Sequence, residues 1–187
     1  MPLRFSRDGV EIPGEDAGPQ RLPGLELVPD EPDDEIYRKA MEKAGRLLAR
    51  RPLARRELEQ KLDASGFEGE VVEQVLARLE HLKLLDDAAF AEQWVEERGR
   101  RKGSRALAAE LASKGIPREV SEEALKVVDR DEHEVAVDLA SRWVRRVAGR
   151  PLKEQAARIL RMLMGRGFSY EVAEEATKAV LPPEGWD

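Results

Sequence analysis

Three basic clusters are the residues best suited to chemistry in this 187-residue sequence. They are Arg50, Arg51, Arg55 and Arg56; Arg98, Arg100, Arg101, Lys102 and Arg105; and Arg142, Arg145, Arg146 and Arg150. Each adjoins a turn residue, Pro52, Gly103 or Pro151, and turns put neighbouring side chains into solvent. An arginine fork bonds bidentately to a carboxylate or a phosphate. The chemistry on offer is therefore recognition of anions, either the acidic side chains of a protein or the phosphates of DNA. The residues alone do not separate those two targets, and a plain solvated helix face accounts for any single charge.

Other chemistry has little to work with. No cysteine is present, which excludes disulfides, thiol nucleophiles and thiolate metal sites. The two histidines, His81 and His133, lack the HExxH spacing of a zinc helix. Neither a GxxxxGK[ST] phosphate loop nor a GxSxG nucleophile elbow occurs. Gly165 and Gly167 close an apolar helical pattern and open no phosphate cradle. The acidic pair Asp86 and Asp87 stands before AAFAEQW, where carboxylates cap a helix and favour its dipole; one isolated pair is weak evidence for a metal. No catalytic, cofactor-binding or metal-binding residue is expected.

The elements that carry the basic clusters repeat. ELEQKLDASGF at 57–67, ALAAELASKGI at 106–116 and RILRMLMGRGF at 158–168 share one pattern. Apolar residues stand eight and four positions before a glycine, and another follows it: Leu58, Leu62, Gly66, Phe67; Leu107, Leu111, Gly115, Ile116; Ile159, Leu163, Gly167, Phe168. Spacing by four lines one helix face, and the glycine predicts a left-handed C-cap. Downstream, Val71, Val75, Leu79; Val120, Ala124, Val128; and Val172, Ala176, Val180 predict a further helix in each unit. Upstream, Ala44, Leu47, Leu48 match Ala91, Trp94, Val95 and Ala140, Trp143, Val144. At that spacing Phe90, Trp94 and Trp143 read as core anchors and not as stacking platforms for bases.

These patterns predict an all-α chain: an elongated tandem array of three diverged three-helix repeats at 36–85, 86–130 and 131–181. Repeats of this size bury little apolar surface alone, so packing between neighbours matters. Pro182, Pro183 and Gly185 end the last helix and leave a short tail at 182–187. Residues 1–35 hold three arginines against ten acidic residues and read as a disordered leader. It serves either as a solubilising tail or as a competitor for the basic body. No apolar run approaches the ~18–20 residues needed to cross a bilayer. The third-helix segments EVVEQVLARLEHL and EVSEEALKVV are acidic or mixed, a poor match to a base-reading helix.

With the repeats in place, the sequence resembles the RecX family. Residues 82–116, LKLLDDAAFAEQWVEERGRRKGSRALAAELASKGI, carry the likeness through Leu85, Asp86, Asp87, Phe90, Ala91, Trp94, Arg98 to Lys102, Gly103, Leu107, Leu111, Lys114, Gly115 and Ile116. LARRELEQKLDASGF at 53–67 and LMGRGF at 163–168 extend it on either side, so that it spans roughly residues 36–181. The resemblance implies a cytoplasmic, monomeric, non-enzymatic regulator that binds RecA filaments and restrains ATP hydrolysis, strand exchange and coprotease function. It implies no nucleotide cofactor and no membrane partner, with weak single- or double-stranded DNA contact as a secondary feature. Arg50, Arg51, Arg55, Arg98, Arg100, Arg101, Lys102, Arg105, Arg145, Arg146 and Arg150 are then the expected filament or phosphate contacts. Asp86, Asp87, Phe90, Trp94, Trp143 and the glycine motifs are expected to support architecture. A general DNA-binding protein and a helical scaffold for an unrelated partner remain as alternatives.

Overall fold

The computed structural model describes residues 35–128 and 130–181. The expectations for the leader before Glu35 and for the tail from Pro182 lie outside the described residues. Among those residues every regular element is a helix: α1 (Glu35–Leu48), α2 (Arg55–Asp63), α3 (Gly69–His81), α4 (Asp87–Gly99), α5 (Ser104–Ser113), α6 (Arg118–Val127), α7 (Glu132–Val147), α8 (Leu152–Met164) and α9 (Tyr170–Val180). The fold is an all-α tandem of three-helix repeats.

The repeated glycines end the middle helices by one mechanism. Gly66, Gly115 and Gly167 have φ of +86°, +85° and +86°, a region that L side chains enter only at a steric cost. The next amide, of Phe67, Ile116 or Phe168, turns back to the carbonyl of Leu62, Leu111 or Leu163, at 3.4, 3.1 and 3.3 Å. This is the Schellman arrangement. Those three leucines are also fully buried, so each anchors the core and closes its helix. Helix starts are capped by side chains in α4, α7 and α9. Asp86 accepts from the amides of Ala88 and Ala89 at 3.0 and 3.1 Å. Asp131 accepts from Glu134, and Ser169 from Val172.

The described chain forms two compact units. In the first, 35–53 with 58–84, α1 packs on α3 and Tyr37, Met41, Leu58, Leu62, Val75 and Leu79 are buried. In the second, 54–57 with 85–181, α4 packs on α5 and α6, and α7 on α8 and α9. Ala54, Phe90, Val95, Leu107, Leu111 and Ile116 share one core of this unit. Leu139, Trp143, Ile159, Leu163 and Phe168 share the other. Each buried leucine contributes about 1.5–3 kcal/mol of transfer free energy.

One detail of the third helices departs from the apolar spacing. Val71, Val120 and Val172 are only half-buried, while the residues after them, Val72, Ser121 and Ala173, are buried. The displacement is at this first position: Val75, Leu79, Ala124 and Ala176 of the same stripe are buried, and small or hydroxyl side chains take the displaced position in the second and third repeats. Buried Ser121 and Thr177 satisfy their hydroxyls on the carbonyls of Pro117 and Ala173, four residues back. The Trp94 indole is also only half-buried, whereas Trp143 is 5% exposed.

Candidate functional site

The basic turn between α4 and α5 is held by its backbone. The Gly103 amide donates to the Arg166 carbonyl at 2.9 Å, and the Arg105 amide to the Gly167 carbonyl at 3.1 Å. The Ser104 amide donates to Glu132 Oε1 at 2.8 Å, and the Ser104 hydroxyl donates to the same carboxylate. Arg130 donates to the Lys102 carbonyl at 3.2 Å. Gly103 offers α5 no side-chain cap. Orphan amides at the start of α5 are therefore satisfied by Glu132, the first residue of α7, and by the turn between α8 and α9.

Arg100 and Arg101 are exposed on this turn, and Arg105 is exposed on the first turn of α5. The Arg101 carbonyl accepts from Arg166 at 3.3 Å, which brings a fourth guanidinium beside them. None of the ion pairs among the described residues engages Arg100, Arg101 or Arg105. Arg98 and Lys102 are committed elsewhere. Lys102 pairs with Glu110, and Arg98 lies 3.8 Å from Glu110 and 3.8 Å from the Trp94 ring centre. The Trp94 indole donates to Glu110 at 3.0 Å. Burial pushes the Glu110 carboxyl up, but the hydrogen bonds from Lys102 and Trp94 and the Lys102 and Arg98 charges outweigh it and hold the pKa below the ordinary glutamate value.

The other basic residues are spread along the chain. Arg50 and Arg51 follow α1 in the first unit and are exposed, and Arg51 donates to the Pro52 carbonyl. Arg55 opens α2, and its amide donates to Asp87 Oδ1 at 2.7 Å. The Arg56 stem lies over Gly115, where an added Cβ would come within 2.3 Å of it. Arg145 and Arg146 are exposed on the last turn of α7; Arg142 pairs with Asp138 and Arg150 with Glu154. His81 and His133 are exposed. Among the described residues no acidic or histidine cluster is arranged to hold a metal, and no helix is long and apolar enough to cross a membrane.

Three family models match in tandem: the first three-helix domain of RecX at residues 40–79, the second at 86–125 and the third at 130–177. The chain belongs to the RecX family. It is 37% identical over 145 residues to the regulatory protein RecX of Streptomyces coelicolor, covering 76% of this chain and 77% of that one. It is 44% identical over 137 residues to the regulatory protein RecX of Thermus thermophilus, covering 73% and 89%. The crystal structure of RecX from Lactobacillus salivarius superposes with a TM-score of 0.73 over 78% of this chain and 96% of that one, and at 24% identity that likeness speaks for the fold. A regulatory role follows from membership.

Within this RecX chain, sequence reasoning passed over four supports of the basic turn: Glu110, Arg130, Glu132 and Arg166. A signal for Arg166 was present. Lys114 and Arg166 both precede the terminating glycine of their repeat, and each lies over the tryptophan of that repeat's first helix, Lys114 at 4.5 Å from Trp94 and Arg166 at 5.0 Å from Trp143. Glu132 also has a counterpart. Asp86–Asp87 and Asp131–Glu132 open α4 and α7; the first residue caps its own helix, and the second accepts the amide that opens an earlier helix, of Arg55 or Ser104. Arg130 had no such signal, since it lies in the charged run DRDEHE.

Proposed function

We propose that this RecX protein binds RecA filaments through the α4–α5 turn and limits their growth or activity, without itself catalysing a reaction. ATP hydrolysis, strand exchange and coprotease function of RecA would fall together. The observation that supports this best is the set of exposed guanidiniums of Arg100, Arg101 and Arg105, without ion-pair partners among the described residues, on a backbone held at several points. A preorganised fork loses less freedom on pairing with a carboxylate than a mobile one. Arg145 and Arg146 are secondary contacts in this reading. Repeats at 36–85, 86–130 and 131–181 would let one chain meet more than one filament subunit, so that linked contacts raise avidity.

The test is RecA's single-stranded-DNA-dependent ATPase against added protein, with filament length and free-DNA binding measured in parallel. Reversing Arg100, Arg101 and Arg105 to Glu should abolish inhibition while helicity is retained. Unchanged inhibition by a folded triple variant would overturn the reading. Strong, salt-sensitive affinity for DNA without RecA would move the assignment to a general DNA-binding protein.

A further inference from the structure

The supports of the basic turn include one that is costly for a structural joint. The Arg130 side chain is 10% exposed. One of its terminal nitrogens donates to the Lys102 carbonyl at 3.2 Å and lies 3.8 Å from Glu132. The other, Nη1, is buried with no hydrogen-bond partner among the described residues. That nitrogen rests against Gly99 at the end of α4, where an added Cβ would stand 3.1 Å away. A cation at a helix C-terminus is favoured by the dipole, but a buried N–H without an acceptor costs about 1–3 kcal/mol. Burial pushes the guanidinium pKa down, with only the Glu132 charge opposing it. Filling such a site with an apolar side chain is often neutral or stabilising.

We infer that Arg130 is a positioning residue: with Glu132 it clasps the backbone of the α4–α5 turn so that Arg100, Arg101 and Arg105 are presented in the geometry their partner requires. The inference rests on the reading that this turn contacts the filament. Two observations support a clasp acting at a distance from the partner. Arg130 and Glu132 touch main-chain groups of Lys102 and Ser104, leaving the exposed guanidiniums untouched. These contacts also join residues 28 positions apart, which ties the turn to the start of the next repeat.

The full-length chain would be compared with Arg130→Met, Arg130→Lys and Glu132→Gln in three measurements: thermal midpoint, amide exchange in the free protein, and the dissociation constant for RecA filaments. For Arg130→Met we expect a midpoint equal to or above that of the parent. Exchange at Gly103, Ser104 and Arg105 should be faster by about tenfold or more, and filament affinity weaker by about tenfold. Lysine, which still donates to the Lys102 carbonyl, should recover most of the affinity. Unchanged exchange would overturn the clasp, as would faster exchange with unchanged affinity. Lost affinity that follows a lowered midpoint and is not recovered by lysine would reduce Arg130 to a structural role. If Arg130→Met does not fold, Glu132→Gln decides by the same criteria. Should the parent itself fail to bind filaments, the functional reading falls, and the positioning role with it, while the exchange measurement still establishes whether the turn is clasped.

Discussion

An ideal Cβ on Gly103 would lie 2.3 Å from the backbone nitrogen of Phe168 and 2.4 Å from the carbonyl oxygen of Gly167. Gly103 is therefore required by the approach of two backbones. Gly167 is constrained twice, since its own Cβ would meet Ala106 at 2.3 Å and its φ is +86°. Gly66 shares that φ, but a Cβ there meets nothing within 4 Å.

These differences order three substitutions. Gly66→Ala should cost about 1–2 kcal/mol, the left-handed backbone penalty alone. Gly103→Ala forces backbone apart and should cost at least about 2–3 kcal/mol, and Gly167→Ala should cost more than either. Urea midpoints of the three variants provide the check. Equal losses at Gly66 and Gly103 would contradict the close approach.

The turn after α3 repeats the Schellman closure without glycine. Lys83 has φ of +56°, and the Leu84 amide donates to the Leu79 carbonyl at 2.9 Å. A side chain in this region is strained by about 1–2 kcal/mol, part of which glycine's greater unfolded-state entropy offsets. Lys83→Gly should therefore raise stability by up to about 1 kcal/mol. Calorimetry showing a lowered midpoint would mean that the Lys83 side chain makes contacts that outweigh its backbone strain.

Much of this architecture was legible because one signal repeats. Leucines four residues before a glycine predict both a buried face and a helix end, and Leu62, Leu111 and Leu163 perform both tasks. In the third helices the spacing places Val75, Leu79, Ala124 and Ala176 in the core, but the first position is one residue off at Val71, Val120 and Val172, since Ser121, Ala173 and the also buried Thr177 carry no strong apolar signal. Their burial depends on tertiary neighbours and on hydroxyls that bond their own helix. The basic turn was visible as a cluster of charges, but its split was not. Lys102 and Arg98 differ from Arg100 and Arg101 through Glu110, a partner on another helix. Arg130 was illegible because a buried arginine and a solvated one have the same sequence signature.

The adjacent carboxylates Asp86 and Asp87 divide two tasks that can be separated. Asp86→Ala removes the cap of α4 and should cost about 1 kcal/mol. Asp87→Ala removes the acceptor of the Arg55 amide and should cost about 1–2 kcal/mol. Only the second should hasten exchange of the Arg55 amide while the first turn of α4 stays protected. Faster Arg55 exchange in Asp86→Ala, to the same extent, would show that the two carboxylates act as one unit.

Glu110 predicts a pH dependence of definite sign. Its carboxyl is held below the ordinary glutamate value in the folded chain, because Lys102, Trp94 and Arg98 together outweigh the effect of burial. A depressed folded pKa means that the unfolded chain binds the proton first as pH falls. The stabilisation is therefore complete above the unfolded carboxylate value and is lost as pH drops through the folded one. Glu110→Gln keeps an acceptor for the Trp94 indole but removes the charge that faces Lys102 and Arg98. At neutral pH this variant should be less stable by about 1 kcal/mol, the scale of a partly exposed ion pair. The gap between parent and variant should close below the carboxylate range, in urea titrations run from neutral pH into acid. A gap that instead widened as pH fell would show that burial, and not the cations, governs this carboxyl.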